Sequence, residues 1–124
     1  MAVMAVRGAT SIEQDNVEHV SERVIELFEK VRNGNHIERM IAVFFSVTPD
    51  ICSINPASVV RKKFKLLSDV SLMCFQEAMF SDSMPKIIRI VVFFEGNGKN
   101  FIYLHKAMEL RSDLNLSSLE FDWT

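Results

Sequence analysis

The chain has 124 residues, of which 48% are hydrophobic, and a net charge of −2. That length fits one domain, residues 1–124, able to bury a sizeable core. The near balance of 14 basic and 16 acidic residues gives no global field for nucleic acid. Cys52 and Cys74 are isolated, so a disulfide framework or a zinc site is not expected, and a reducing cytoplasm is the default compartment. The start, Met1 to Arg7, lacks the basic and apolar regions of a signal peptide. No apolar run approaches the ~18 residues that a membrane helix needs.

Ala2 to Val6 reads as a short first strand that ends in Arg7-Gly8-Ala9-Thr10. Asp15, with Glu18 three residues later, predicts a capping box for the one long helix. Val17, Val20, Val24, Leu27, Phe28 and Val31 fall on its inner face, Glu26 and Lys30 pair outside, and Asn33-Gly34-Asn35 stops it. Met40 to Val47 is a near-continuous apolar strand, closed by Thr48-Pro49-Asp50, and His36 before it belongs to a loop. Asn55 as N-cap and Pro56 at the first helical position predict one or two helical turns, followed by a basic run at Arg61, Lys62, Lys63 and Lys65. Val70 to Phe75 is a third strand and Ser81 to Pro85 a loop. Ile87 to Phe94 is then the central strand, apolar except for Arg89 and expected to be buried on both faces. Gly96-Asn97-Gly98 reads as a hairpin turn into a fifth strand, Phe101 to Leu104, which presents Tyr103. A weakly patterned tail from Ala107 carries Arg111, and its part from about residue 112 is expected to be loosely ordered.

This is an α+β pattern: a mixed five-stranded sheet, one long helix and a short helical turn. One helix covers only part of one sheet face, yet two strands are apolar on both. The bare face therefore predicts an obligate homo-oligomer, with ligand sites at subunit boundaries. Arg89 is the anomaly, because a guanidinium on a buried strand needs an anion, either an internal carboxylate or a ligand. The usual catalytic constellations are thin. No His stands beside a nucleophile-like Ser or Cys, no Gly-rich loop cradles phosphate, and no metal spacing appears. What remains is Arg7, Arg61, Arg89 and Arg111 with Tyr103, Cys74 and Glu77. Arginine forks bind carboxylates, Tyr103 adds a neutral hydrogen bond, and Glu77 can accept from a hydroxyl. The residues alone thus point to an oligomer that binds a small dianion, with no covalent catalysis evident.

In order along the chain, Val6-Arg7-Gly8-Ala9-Thr10, Ser46-Val47-Thr48-Pro49-Asp50, Pro56-Ala57 with Arg61, Cys74-Phe75-Gln76-Glu77, Ile88-Arg89-Ile90, Tyr103-Leu104 and Leu110-Arg111-Ser112-Asp113-Leu114 resemble the AroH-class chorismate mutases, the small barrel-like trimeric type. The resemblance implies a pseudo-α/β-barrel homotrimer that isomerises chorismate to prephenate, in the branch towards phenylalanine and tyrosine. That Claisen rearrangement needs no cofactor, metal or nucleophile. Arg89, Glu77 and Arg7 would be its catalytic groups. Arg89 would face the ether oxygen, where negative charge grows, and would also reach the enolpyruvyl carboxylate. Arg7 and Tyr103 match positions that grip that carboxylate, and Glu77 with Cys74 matches the group that meets the ring hydroxyl. Arg61 matches a position from the adjoining subunit's edge, Ala57 and Ser58 stand at substrate-contacting positions, and Arg111 matches a tail arginine that closes over the pocket. Asn55 stands where the family usually has an aromatic, Ser58 where a charged residue is common, and Ser112 where proline is usual. The alternative is a non-catalytic oligomeric sensor of a small dicarboxylate.

Overall fold

The computed structural model describes residues 2–111; Ser112, Asp113, Leu114 and the rest of the tail lie outside the described residues. One mixed sheet of five strands runs in the order β3-β2-β4-β1-β5. The strands are β1 (Val3–Ser11), β2 (His36–Val47), β3 (Ser71–Gln76), β4 (Ile87–Asn97) and β5 (Ile102–Tyr103). The helices α1 (Val17–Asn33) and α2 (Pro56–Lys63) connect the first three, and short 3₁₀ segments span Lys65–Leu67 and His105–Arg111. β4 pairs antiparallel with both β1 and β2, whereas β3 and β5 add parallel to the two flanks.

The core lies between α1, α2 and one face of this sheet. Val20, Val24, Leu27, Phe28 and Val31 recur at helical spacing and are fully buried. Each such side chain contributes about 1.5–3 kcal/mol by leaving water. They meet Val6, Val43, Phe45, Ile88, Ile90, Val92 and Phe94 from the sheet, with Val59 and Val60 from α2. Val17, expected on the inner face, is 51% exposed because it opens the helix beyond the sheet's reach.

Several expectations need correction. β1 does not stop at Val6; it continues through Arg7 to Ser11, paired residue by residue with β4. Asn16, not Asp15, caps α1, accepting from the His19 N–H at 2.8 Å. Asp15 instead accepts from the backbone N–H groups of Cys52 and Ser53, tying the start of α1 to the loop after β2. Glu26 forms no ion pair with Lys30; its carboxylate lies 2.8 Å from His105 Nε2. His36 opens β2 rather than sitting in a loop.

The turn after β4 is not a hairpin. Gly96 is still in the strand, and a Cβ there would come within 2.1 Å of the His36 carbonyl oxygen. The chain then meets Asn35 at the end of α1, which accepts from the Asn100 N–H at 2.9 Å and donates to the Val31 carbonyl at 2.9 Å. That clamp carries the return past β4, so β5 lies parallel to β1. β5 is also shorter than expected, covering only Ile102 and Tyr103.

Beyond Ile87, the central strand is buried on one face only. Ile88, Ile90, Val92 and Phe94 are buried against the helices, and on the other side Arg89, Val91 and Phe93 remain partly exposed. Both α1 and α2 pack on the same side of the sheet; on the other side a small cluster of Ala9, Tyr103 and Ala107 covers Ile87, and Arg89, Val91 and Phe93 stay open among the described residues.

Candidate active site

Strand register aligns the candidate residues on that open face. Arg89 on β4 stands opposite Ser46 on β2 and Ala9 on β1. Ala9 in turn stands beside Tyr103 on β5, and Ser46 beside Phe75 on β3. Directly paired residues project to one side of a sheet. Phe75, Ser46, Arg89, Ala9 and Tyr103 therefore form a single cross-sheet row. The adjacent row contains Met73, Phe44, Val91 and Arg7. Ala9, small and fully buried, lies between Arg89 and Tyr103 in this row and packs with Ile87, Tyr103 and Ala107.

Arg89 has an internal anion. Its Nε lies 2.6 Å from Glu77 Oε1, and the side chains are 42% and 20% exposed. Glu77 follows directly after β3, where its N–H donates to the Val47 carbonyl at 2.8 Å. The pair is therefore neither sealed nor isolated, and one edge of the guanidinium still faces the open side.

The other cations gather over aromatic rings. Arg7 lies 5.2 Å above the Phe101 ring centroid. Arg111, at the end of the second 3₁₀ segment, lies 5.9 Å from Phe101 and 5.8 Å from the Tyr103 ring. Tyr103 is buried with Ala9, Ile87 and Ala107, so its ring is a fixed wall. Gly8 allows β5 to come this close: a Cβ there would sit 2.4 Å from the Ile102 carbonyl oxygen. Arg7, Glu77, Arg89, Tyr103 and Arg111 thus belong to one surface.

Ala57, Ser58, Arg61 and Cys74 belong to another. Cys74 pairs with buried Phe45 and so points to the helix side of β3. With Leu72 it lines a cleft of about 310 Å³ under α2, whose other walls include Asn55, Ala57, Ser58 and Arg61. Burial pushes the Cys74 thiol up, so it is a neutral S–H donor at physiological pH. Arg61 is exposed and has no ion pair among the described residues. Within one chain, Cys74 and Glu77 consequently face opposite sides of the β3 edge. A larger cleft of about 650 Å³, between the end of α1 and the start of β2, holds none of these residues.

The chorismate mutase type I family model matches residues 3–114. The chain belongs to that family. The chorismate mutase AroH of Bacillus subtilis is 30% identical over 94% of this chain and 96% of its own length. The AroH of Thermus thermophilus is 31% identical, covering 90% of this chain and 96% of its own. The structure of a chorismate mutase from Clostridium thermocellum superposes with a TM-score of 0.77 over 86% of this chain and 98% of that one. At 24% identity that superposition establishes a shared fold.

In this member of the chorismate mutase type I family, the departures at Asn55 and Ser58 have a local use. Asn55 caps α2, its side chain accepting from the Ala57 N–H at 2.8 Å, and Ser58 Oγ donates to the Asn55 carbonyl at 3.1 Å. An aromatic at position 55 could not make that cap. Ser112 lies outside the described residues. Two neighbours of the site escaped the sequence reading of its chemistry. Ser46 Oγ donates to Glu77 Oε1 at 2.6 Å. Phe101 supplies the ring beneath both Arg7 and Arg111. Ser46 was visible as the one hydroxyl in the apolar run from Met40 to Val47; Phe101 carried no signal, because the pairing of β5 with β1 was not foreseen.

Proposed function

We infer that this chain is a chorismate mutase, converting chorismate to prephenate by an intramolecular Claisen rearrangement. The observation that carries the reading is the open-face cluster in which Arg89, held on one side by Glu77, shares a cross-sheet row with Tyr103 while Arg7 stands in the next row. Chorismate brings two carboxylates, a ring hydroxyl and an ether oxygen. Arg7, with Tyr103, grips the enolpyruvyl carboxylate, and Glu77 accepts from the hydroxyl. The carbon–oxygen bond breaks ahead of carbon–carbon bond formation, so charge accumulates on the ether oxygen. The Arg89 guanidinium stabilises that charge more in the transition state than in the substrate. Holding the enolpyruvyl chain over the ring in a chair-like form supplies the remaining acceleration. No step transfers a proton or forms a bond to the enzyme.

The working unit is a homotrimer. Val91, Phe44 and Phe93 are partly exposed on the open face, and Met73 and Phe75 are 50% and 48% exposed beside them. A contiguous apolar face of this kind favours association. A head-to-tail ring brings the α2 cleft of one copy, with Ala57, Ser58, Arg61 and Cys74, against the arginine face of the next. Arg111 then closes the pocket from the tail side.

The test is direct. Purified protein added to chorismate should abolish its ultraviolet absorbance, with prephenate as the identified product. A rate no higher than the spontaneous one would leave a dicarboxylate-binding oligomer instead.

A further inference from the structure

We propose that Ser46 is a positioning residue that presents one oxygen of Glu77 to the substrate and keeps the Arg89 fork open. The proposal rests on the chorismate reading of this face. Ser46 projects from β2 directly opposite Arg89, between Phe45 and Val47, which point to the other side. Its Oγ donates to Glu77 Oε1 at 2.6 Å, and the same oxygen lies 2.6 Å from Arg89 Nε. Both contacts thus fall on a single carboxylate oxygen. Among the described residues no hydrogen bond reaches Oε2, and none is made by either Arg89 Nη.

The alternative arrangement is easily reached without Ser46. The terminal torsion of a glutamate is broad and roughly two-fold. A carboxylate next to a guanidinium prefers the bidentate fork, in which two parallel N–H groups meet two oxygens. That fork would occupy Oε2 and one Nη together, the groups left for the ring hydroxyl and the ether oxygen. The Ser46 hydroxyl opposes it by holding the carboxylate at the rotation at which Oε1 meets both its O–H and Arg89 Nε. The Glu77 backbone is already fixed through its N–H on Val47, so the side-chain torsion is the remaining freedom. Ser46 thereby separates the two partners enough for the substrate to enter between them, and itself touches no substrate.

The experiment compares wild type, Ser46→Ala and Ser46→Thr, by kinetics on chorismate and by crystal structures of all three. Ser46→Ala should lower kcat by about 10- to 100-fold, the range for one hydrogen bond to a charged group, with a smaller change in KM. Ser46→Thr keeps the hydroxyl on a strand that tolerates β-branching, and should restore kcat to within about threefold of wild type. A kcat unchanged in Ser46→Ala, or equally low in Ser46→Thr with the strand intact, overturns the proposal. An inactive wild type would defeat the chorismate reading alone. The crystal structures then still decide the positional claim: one-oxygen contact in wild type and Ser46→Thr, and a two-oxygen fork in Ser46→Ala. The same Glu77 geometry in all three overturns it.

Discussion

Replacing Arg89 with alanine removes the charge on which the proposed mechanism depends, and the loss can be sized from the site. A full unit charge about 4 Å from the guanidinium is worth about 4 kcal/mol at the effective dielectric of a protein surface, so a charge grown about halfway is worth about 2 kcal/mol. Arg89 is 42% exposed in the single chain, which argues for that screened value and not for a dry-interior one. The substitution also strands Glu77, only 20% exposed, beside a dianionic substrate. Together these approach the ~2.7–4 kcal/mol seen when one oxyanion donor is deleted, about 10²–10³ in kcat. Continuous loss of chorismate absorbance, run over a range of substrate concentrations, separates kcat from KM. The expected pattern is a fall in kcat that far exceeds the rise in KM, because Arg7 still holds a carboxylate. Adding Glu77→Gln to the Arg89→Ala protein should recover part of the loss by removing the stranded anion. An unchanged kcat in Arg89→Ala would refute the electrostatic account altogether.

Three further outcomes follow from the same geometry. Phe75→Glu places a charge on an open-face position that is 48% exposed in the single chain; light scattering should report monomer in place of trimer, with unchanged helical circular dichroism, and a persistent trimer would mean the interface lies elsewhere. Gly8→Ala forces a Cβ to within 2.4 Å of the Ile102 carbonyl, so urea denaturation should show a loss of about 1–3 kcal/mol, and KM should rise as Tyr103 shifts; wild-type stability would show that β5 is free to move away. Burial pushes the Cys74 thiol up, so its reactive thiolate is scarce until the pH is more alkaline than an ordinary thiol requires. Peptide mass spectrometry after iodoacetamide at pH 8 should find exposed Cys52 modified well before Cys74, and equal rates would contradict the burial of Cys74.

Much of this arrangement was legible in the residues. The spacing of Val20, Val24, Leu27, Phe28 and Val31 defined α1, and Asn55-Pro56 defined the start of α2, because caps and periodicity are local. The bare sheet face was also legible, since two apolar strands need more cover than one long helix can give. Pairing was less legible. Gly96-Asn97-Gly98 looks like a hairpin, and only the clamp by Asn35, 65 residues from Asn100 in sequence, shows why β5 crosses to β1. The same limit applied to the site. Arg89 stood out by its charge, whereas the roles of Ser46 and Phe101 depend on which strands lie side by side. Arg89 was also expected to be buried; it is only partly so, because α1 and α2 both pack on the opposite side of the sheet.

The strand order has a consequence for how the molecule is made. β1 emerges first from the ribosome, yet its partners are β4 and β5, and it never pairs with β2. Until Ile87 and the residues after it have been synthesised, β1 has no neighbour in the sheet, and α1 has only part of the surface it will finally cover. Such distant pairings make closure slow, since loop entropy is lost before contacts repay it. A chain interrupted in this interval would expose the apolar edges of β1 and β2 together, which makes the late strands the guardians of solubility during synthesis.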